Sequence, residues 1–316
     1  MLAVLFILSG CAINGSSDAV ISVDSESVTV GEIRFLMAQN VELINSRFND
    51  TDEDAVTEFW NTEKDGVKQI DTIKKNAVEN LINYAVISKS AKSKRINVDD
   101  KEVDARLNAV YTNDSLIMLR DKYGVPKSSV KEVIRKQVLH QKYVDEVLED
   151  KEGYFPTEEA LMKLFNDDYY KAQHILIKKN DSEEPEKTLK RVERILEDAQ
   201  DGEDFLDLMT EYSEDTASFQ YPDGYVFTYG EMNDTFYNTV VSLEENQISE
   251  VVETSYGYHI IKRVPVTEKD FADSETELIN KYKNDYINSY TEQLKAEYNV
   301  IINEQKLEAI TVNTEK

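Results

Sequence analysis

Side chains that titrate or coordinate near neutrality are scarce in this chain. Its 316 residues hold three histidines and one cysteine, against 62 Asp and Glu and 36 Lys and Arg. One cysteine makes no internal disulfide, and three histidines leave little for a metal site, so no metal or other cofactor is expected. His140 falls on an amphipathic helical pattern and reads as a solvated or core histidine. His174 and His259 sit inside compact apolar runs, Ala-Gln-His-Ile-Leu-Ile-Lys (172–178) and Tyr-Gly-Tyr-His-Ile-Ile-Lys (256–262). Each run reads as a strand, and an imidazole there can act through its tautomer and its charge change near neutrality. Met232 and Phe236 are four apart. On one face of a helix they suit a ring-sized pocket, or are simply core.

The surrounding elements can be read from periodicity. Residues 19–30 alternate and are β-branched, which predicts a short hairpin. From Gly31 the spacing turns helical through Ile33, Leu36, Met37, Val41 and Ile44. Further helices are expected over 65–93, after Asp99 or Asp100, over 128–148, and from Thr157, which is followed by Glu158 and Glu159. From about Tyr169 the character changes to strand, two helices, strand, helix and two strands, a compact α+β arrangement. Helical periodicity returns over 268–299. Residues 300–302 could pair as a strand, and the polar tail is expected to fray. The simplest fold class is α+β, with a compact domain inserted between two helical segments that pack together.

Charge narrows the function. The formal net charge is −26, with 41% hydrophobic residues. Nucleic-acid binding needs a basic face, so it is excluded as a role, and adhesion to anionic headgroups through the protein's own surface is disfavoured. Residues 171–266 hold 9 basic and 21 acidic residues, so the acidity is spread along the chain and is no interaction tail.

At the amino terminus, Leu2 to Leu8 is wholly apolar, far short of the ~20 residues that span a bilayer, and reads as a secretory signal core. It ends in Leu8-Ser9-Gly10-Cys11, which resembles a bacterial lipobox. There a thiol accepts a diacylglycerol and small neighbours admit the peptidase. No Lys or Arg precedes the apolar run, a departure from the usual basic start. Residues 12–18 are small and polar, as a tether would be.

Several motifs in one order carry a second resemblance. Ala172-Gln173-His174-Ile175-Leu176, Tyr212-Ser213-Glu214-Asp215, Met232 with Phe236, and Tyr256-Gly257-Tyr258-His259-Ile260-Ile261-Lys262 resemble the opening strand, Tyr-Ser-x-Asp turn, Met-x-x-x-Phe helix and closing strand of parvulin-type peptidyl-prolyl isomerases. The likeness covers about residues 168–266. With the lipobox and the flanking helices, the plan is similar to the PrsA-type foldase lipoproteins of Gram-positive bacteria, and more distantly to SurA-like chaperones. It implies a signal and lipobox at 1–11, a tether at 12–18 and a parvulin-like domain at 168–266. That domain is inserted into a discontinuous, mostly helical chaperone domain formed by 19–167 and 267–316.

The resemblance also implies roles. His174 and His259 would lie on adjacent central strands and hydrogen-bond each other, either tuning the site or only holding the strands. Asp215 would face the substrate carbonyl. Met232, Phe236 and Tyr256 would hold the proline ring, with Ser213 in the same turn as Asp215. The implied partners are unfolded exported proteins containing X-Pro bonds, the membrane through a lipidated Cys11, and a second copy of the chain as a homodimer. The implied place is the extracytoplasmic face of the cell membrane.

The middle strand departs from the pattern. In Asp223-Gly224-Tyr225-Val226-Phe227-Thr228-Tyr229 one glycine remains, Tyr225 stands where an Asp is usual and Thr228 where a Trp is usual. No basic cluster is present to hold a phosphate, which argues against a phospho-Ser/Thr-Pro preference. Two functions stay open: an isomerase-foldase, and a holdase whose parvulin domain only binds. If Cys11 carries the lipid, Cys11→Ser moves the protein from the membrane to the soluble fraction. Unchanged fractionation would remove the anchor.

Overall fold

The computed structural model describes residues 18–48, 53–64, 66–179 and 184–315. Cys11, the signal segment and the tether up to residue 17 lie outside them. Along the chain run β1 (Ala19–Val23), β2 (Glu26–Thr29), α1 (Val30–Asn45), α2 (Glu53–Asn61), a small β3–β4 pair (Glu63–Lys64, Val67–Lys68), α3 (Gln69–Ser93), α4 (Asp100–Val110), α5 (Asn113–Tyr123) and α6 (Lys127–Tyr143). After a π-helical turn at Val144–Leu148 come α7 (Glu158–Asp168), β5 (Tyr170–Lys178), α8 (Pro185–Gln200), α9 (Phe205–Tyr212), β6 (Tyr225–Phe227) and α10 (Asp234–Ser242). The chain closes with β7 (Val252–Thr254), β8 (Gly257–Val264), α11 (Glu268–Lys295), β9 (Val300–Ile302) and α12 (Glu304–Glu308). Among the described residues two compact units result: 18–154 with 284–315, and 155–283.

In the first unit, β1 is buried along its whole length and is the central strand of the sheet β2-β1-β9. The pairing Ile21↔Ile302 joins the two ends of the chain. Helix α1 starts from a reciprocal cap: Thr29 N–H donates to Glu32 Oε2 at 2.8 Å, and Glu32 N–H donates to Thr29 Oγ1 at 3.4 Å. The Lys136 ammonium donates to Glu32 and, at 2.9 Å, to the Ser27 carbonyl, so the buried carboxylate is both paired and hydrogen-bonded. The tail does not fray as its polarity suggests. Ile310 is buried, and the Asn45 amide donates to the Thr314 carbonyl at 3.1 Å while accepting from Trp60 Nε1 at 2.9 Å. His140 meets Tyr84 edge-on at 5.5 Å between ring centroids, and burial lowers its pKa.

The second unit is built on the antiparallel sheet β6-β5-β8-β7. Strand β5 pairs with β8 from Lys171↔Val264 to Lys178↔Gly257. Ile175, Ile177, Tyr258 and Ile260 point to one face and pack with Val192, Ile195 and Leu208 of α8 and α9. Ala172 and Ile261 point to the other face, where Phe227, Phe236 and Val240 cover them. Burial on both faces explains why these strands read as continuous apolar runs. The unit extends beyond residues 168–266 because Leu161 and Phe165 of α7 pack on Leu278 of α11. Buried Lys171 on β5 also holds Asp270 at 2.9 Å.

Gly257 opens β8 at φ +148°, and a Cβ there would lie 2.3 Å from the Ile177 carbonyl oxygen. The atoms met are backbone of β5, which cannot yield as a flexible side chain would, so Gly257→Ala is expected to lower stability by about 3 kcal/mol. Denaturant unfolding of the two proteins checks this; a loss within about 0.5 kcal/mol, the range of a neutral surface change, would contradict it.

Candidate active site

The antiparallel register decides which side chains meet. His174 pairs with Ile261, and His259 pairs with Leu176. His174 and Leu176 share a face, since strand side chains alternate with period two, and so His259 is the diagonal neighbour of His174. On the same face, Tyr225 of β6 pairs with Ala172. Thr254 of β7, two residues from the Val252 that pairs with His259, completes the row.

Strand β6 pairs with β5 only as far as Ala172, so the β5 edge beyond needs other partners. The turn after α9 supplies them. Glu214 N–H donates to the Leu176 carbonyl at 2.7 Å, and Leu176 N–H donates to Ser213 Oγ at 3.2 Å. Lys178 N–H donates to Glu214 Oε2 at 2.9 Å. This stitching carries Asp215 to the site. Its Oδ1 accepts from Ala217 N–H at 3.0 Å, which fixes the carboxylate in an Asx turn. Its Oδ2 lies 3.1 Å from His174 Nε2 and accepts the Tyr225 hydroxyl at 3.2 Å.

A cavity of about 320 Å³ results, lined by His174, Leu176, Asp215, Tyr225, Glu231, Met232, Asn233, Phe236, Thr254, Tyr256 and His259. The expected residues His174, Asp215, Met232, Phe236, Tyr256 and His259 are all present. Ser213 is not; its hydroxyl serves the backbone, accepting from Leu176 and Asp215. Phe236 is buried beneath both imidazoles, edge-on at 5.3 Å from His174 and 5.7 Å from His259. Met232 departs from the spacing argument. It precedes α10, whose N-cap is Asn233, so it reaches the cavity from a turn rather than from the helical face of Phe236. Tyr256 is 68% exposed and forms the rim.

The two histidines do not hydrogen-bond each other. Each Nε2 is engaged elsewhere, His174 with Asp215 and His259 with Thr254 Oγ1 at 2.9 Å. The rings are tilted by 59° with centroids 5.5 Å apart, and neither Nδ1 has a hydrogen-bond partner among the described residues. Thr254 also accepts the Tyr256 N–H at 3.1 Å, tying the rim to the floor. The sequence reading missed Leu176, Tyr225, Glu231, Asn233 and Thr254 as lining residues. For Thr254, the signal was its spacing of five from His259 across the tight turn at Gly257.

Burial dominates the electrostatics. It pushes the His174 pKa down against the opposing pull of Asp215. His259 falls to about 4, through burial first and the neighbouring His174 second. Both imidazoles are therefore neutral at pH 7. A histidine depressed from 6.5 takes up its proton in the unfolded chain first. The stability each of these histidines contributes is full above pH 6.5 and declines as pH falls toward 4. Thermal unfolding at pH 7, 5.5 and 4.5 should show this fall, and His259→Gln should reduce it; equal slopes for the two proteins would refute the assignment. The lowered carboxyl of Asp270 acts only at still lower pH.

Comparison with known proteins adds identity. Residues 160–270 match the model of the PPIC-type PPIase domain, and residues 1–115 match a SurA-like N-terminal domain. The chain is 32% identical to Foldase protein PrsA of Caldanaerobacter subterraneus subsp. tengcongensis over 89% of this chain and 86% of that one. It is 31% identical to Foldase protein PrsA of Bacillus subtilis over 60% of this chain and 61% of the relative. The crystal structure of the peptidylprolyl isomerase PrsA from Bacillus cereus aligns over 80% of this chain and 92% of its own at 23% identity, with a TM-score of 0.35, a value at which overall superposition adds nothing to the sequence match. With a relative aligned almost end to end and an isomerase domain matched over the unit that holds this cavity, the chain belongs to the PrsA foldase family and is a parvulin-type peptidyl-prolyl cis-trans isomerase.

Proposed function

We propose that the His174–Asp215–His259 cavity is where X-Pro bonds are isomerised, and that the protein does this for exported chains while tethered by a lipid on Cys11 at the extracytoplasmic face of the cell membrane. One observation carries the site: a single cavity joins an apolar floor for a ring with the Asp215 carboxylate, whose Oδ2 is held by His174 and Tyr225.

The task is to lower a barrier of roughly 18–20 kcal/mol that arises from amide resonance. No covalent bond need form. Phe236, Met232 and Leu176 offer the proline ring an apolar seat, with Tyr256 closing over it. Held there, the ring stays still while the preceding carbonyl rotates. Resonance places negative charge on the carbonyl oxygen in the planar amide and removes it in the twisted one. A carboxylate at Asp215 facing that oxygen disfavours the planar form relative to the twisted one, which is selective stabilisation of the transition state. His174, neutral and donating through Nε2, orients the carboxylate. His259, held by Thr254, keeps the floor in place. Exclusion of water by Phe236 and the rim strengthens each of these interactions.

The apolar run before Cys11 and the small residues beside it support the anchor. No helix among the described residues is long and apolar enough to cross a membrane. The acidic surface, with a formal charge of −26, supports a body held away from anionic headgroups by repulsion. The mostly helical first unit, residues 19–154 with 284–315, would form the chaperone domain.

A protease-coupled proline peptide assay tests the site. Asp215→Ala should lower kcat/KM at least about tenfold, a loss of ~1.4 kcal/mol in transition-state stabilisation. Full activity in Asp215→Ala would place the chemistry elsewhere. A folded wild type that suppresses aggregation yet accelerates no isomerisation in this assay would favour the holdase reading.

A further inference from the structure

The middle strand departs from the parvulin pattern at the residue that lines the cavity beside Asp215. Tyr225 opens β6 opposite Ala172. The preceding Gly224 has φ +103°, and a Cβ there would meet the Ala172 carbonyl oxygen at 2.8 Å. That glycine lets β6 approach β5 closely and so fixes where Tyr225 stands. Its ring stacks on His174 with centroids 5.7 Å apart and 20° between planes. It also meets the Tyr221 ring, tilted by 41° with centroids 4.9 Å apart. Its hydroxyl donates to Asp215 Oδ2, the same oxygen that lies 3.1 Å from His174 Nε2.

We propose that Tyr225 is a positioning residue for isomerisation, which holds one oxygen of Asp215 between its hydroxyl and His174 and so fixes the direction in which the carboxylate meets the substrate carbonyl. The inference rests on the role given above to Asp215. An aspartate side chain has two torsions, and its Oδ1 bond to Ala217 N–H leaves the second oxygen free to swing without a further partner. Two donors at Oδ2, reaching it from two different strands, remove that freedom. The arrangement is pre-organised, so no ordering is needed when the substrate arrives. A carboxylate at residue 225 could not do this, because it accepts rather than donates and would repel Asp215. Burial and the neighbouring carboxylate hold the Tyr225 phenol above its ordinary pKa, so it remains a donor across the neutral range.

Four variants of the full chain separate this role from simple packing. Tyr225→Phe keeps the ring contacts with His174 and Tyr221 and removes only the hydroxyl. It should lower kcat about tenfold, the worth of one hydrogen bond to a charged group, with KM within about twofold. Tyr221→Phe, the hydroxyl control on the adjacent ring, should match the wild type. In an Asp215→Asn background the further change Tyr225→Phe should cost less than about twofold, because a residue that acts through Asp215 loses its effect with it. Thermal unfolding of each variant confirms that it is folded at the assay temperature. A Tyr225→Phe protein with wild-type kcat, or an undiminished loss in the Asp215→Asn background, overturns the proposal. If Asp215→Asn itself retains full activity, the site reading fails and this inference fails with it. A normal Tyr225→Phe beside a crippled Asp215→Asn removes the inference alone.

Discussion

The antiparallel register of β5 against β8 is the constraint on which the site depends. His174 and His259 share a face only because His174 pairs with Ile261 and Leu176 with His259. A slip of one residue would turn His259 into the apolar layer of Ile175 and Ile177 and turn Tyr258 and Ile260 out of it. Gly257 sets the register at the turn end, where only a residue without Cβ can pass the Ile177 carbonyl. The opposite face then fills with Ile175, Ile177 and the helices α8 and α9. Packing and chemistry are thus two faces of one ladder, and neither could shift without the other.

A second device completes the first. Where β6 stops pairing, the turn at Ser213–Asp215 takes its place on the β5 edge. Ser213 and Glu214 satisfy the Leu176 and Lys178 backbone, and the third residue of the same turn delivers a carboxylate to His174. A demand for hydrogen-bond partners at an unpaired edge is met by the segment that carries the chemistry. Ser213 therefore belongs to the construction of the site although it does not line the cavity.

The histidines illustrate how a resemblance transfers positions more faithfully than bonds. Both stand on adjacent strands of this sheet, yet each Nε2 turns to a different partner, Asp215 or Thr254. Burial keeps both neutral, and a neutral imidazole has one donor and one acceptor nitrogen. Which partner each nitrogen finds depends on neighbours that enter from other strands. Tyr225 is one of these. It reads as a loss in the sequence, an aromatic residue where an acid is usual, and in three dimensions it is a donor aimed at Asp215.

Much was legible from the chain alone, and for identifiable reasons. β-branched residues marked β1 and alternation marked β2, and the 3.6-residue period marked α1, α3 and α6, because burial of one face of a helix or an outer strand leaves a periodic trace in the residues. Caps at Asp99 and Thr157 were legible because the orphan N–H groups of a helix start select a few side chains. Helix α5 was missed; its three buried residues, Leu116, Leu119 and Tyr123, lie among exposed apolar Ile117 and Met118, which blur the period. The cavity's apolar and acidic residues could be named from motifs. Their meeting could not, because strand pairing, the Gly224 approach and the Tyr225–Asp215–His174 contact join residues as many as 93 positions apart, from Lys171 to Val264, and no local pattern records such distances. The sequence by itself determined which residues are available and which faces they take. Only the tertiary structure decided the register, and with it which hydrogen-bond donor each buried acceptor receives, since that choice is made by packing across the sheet.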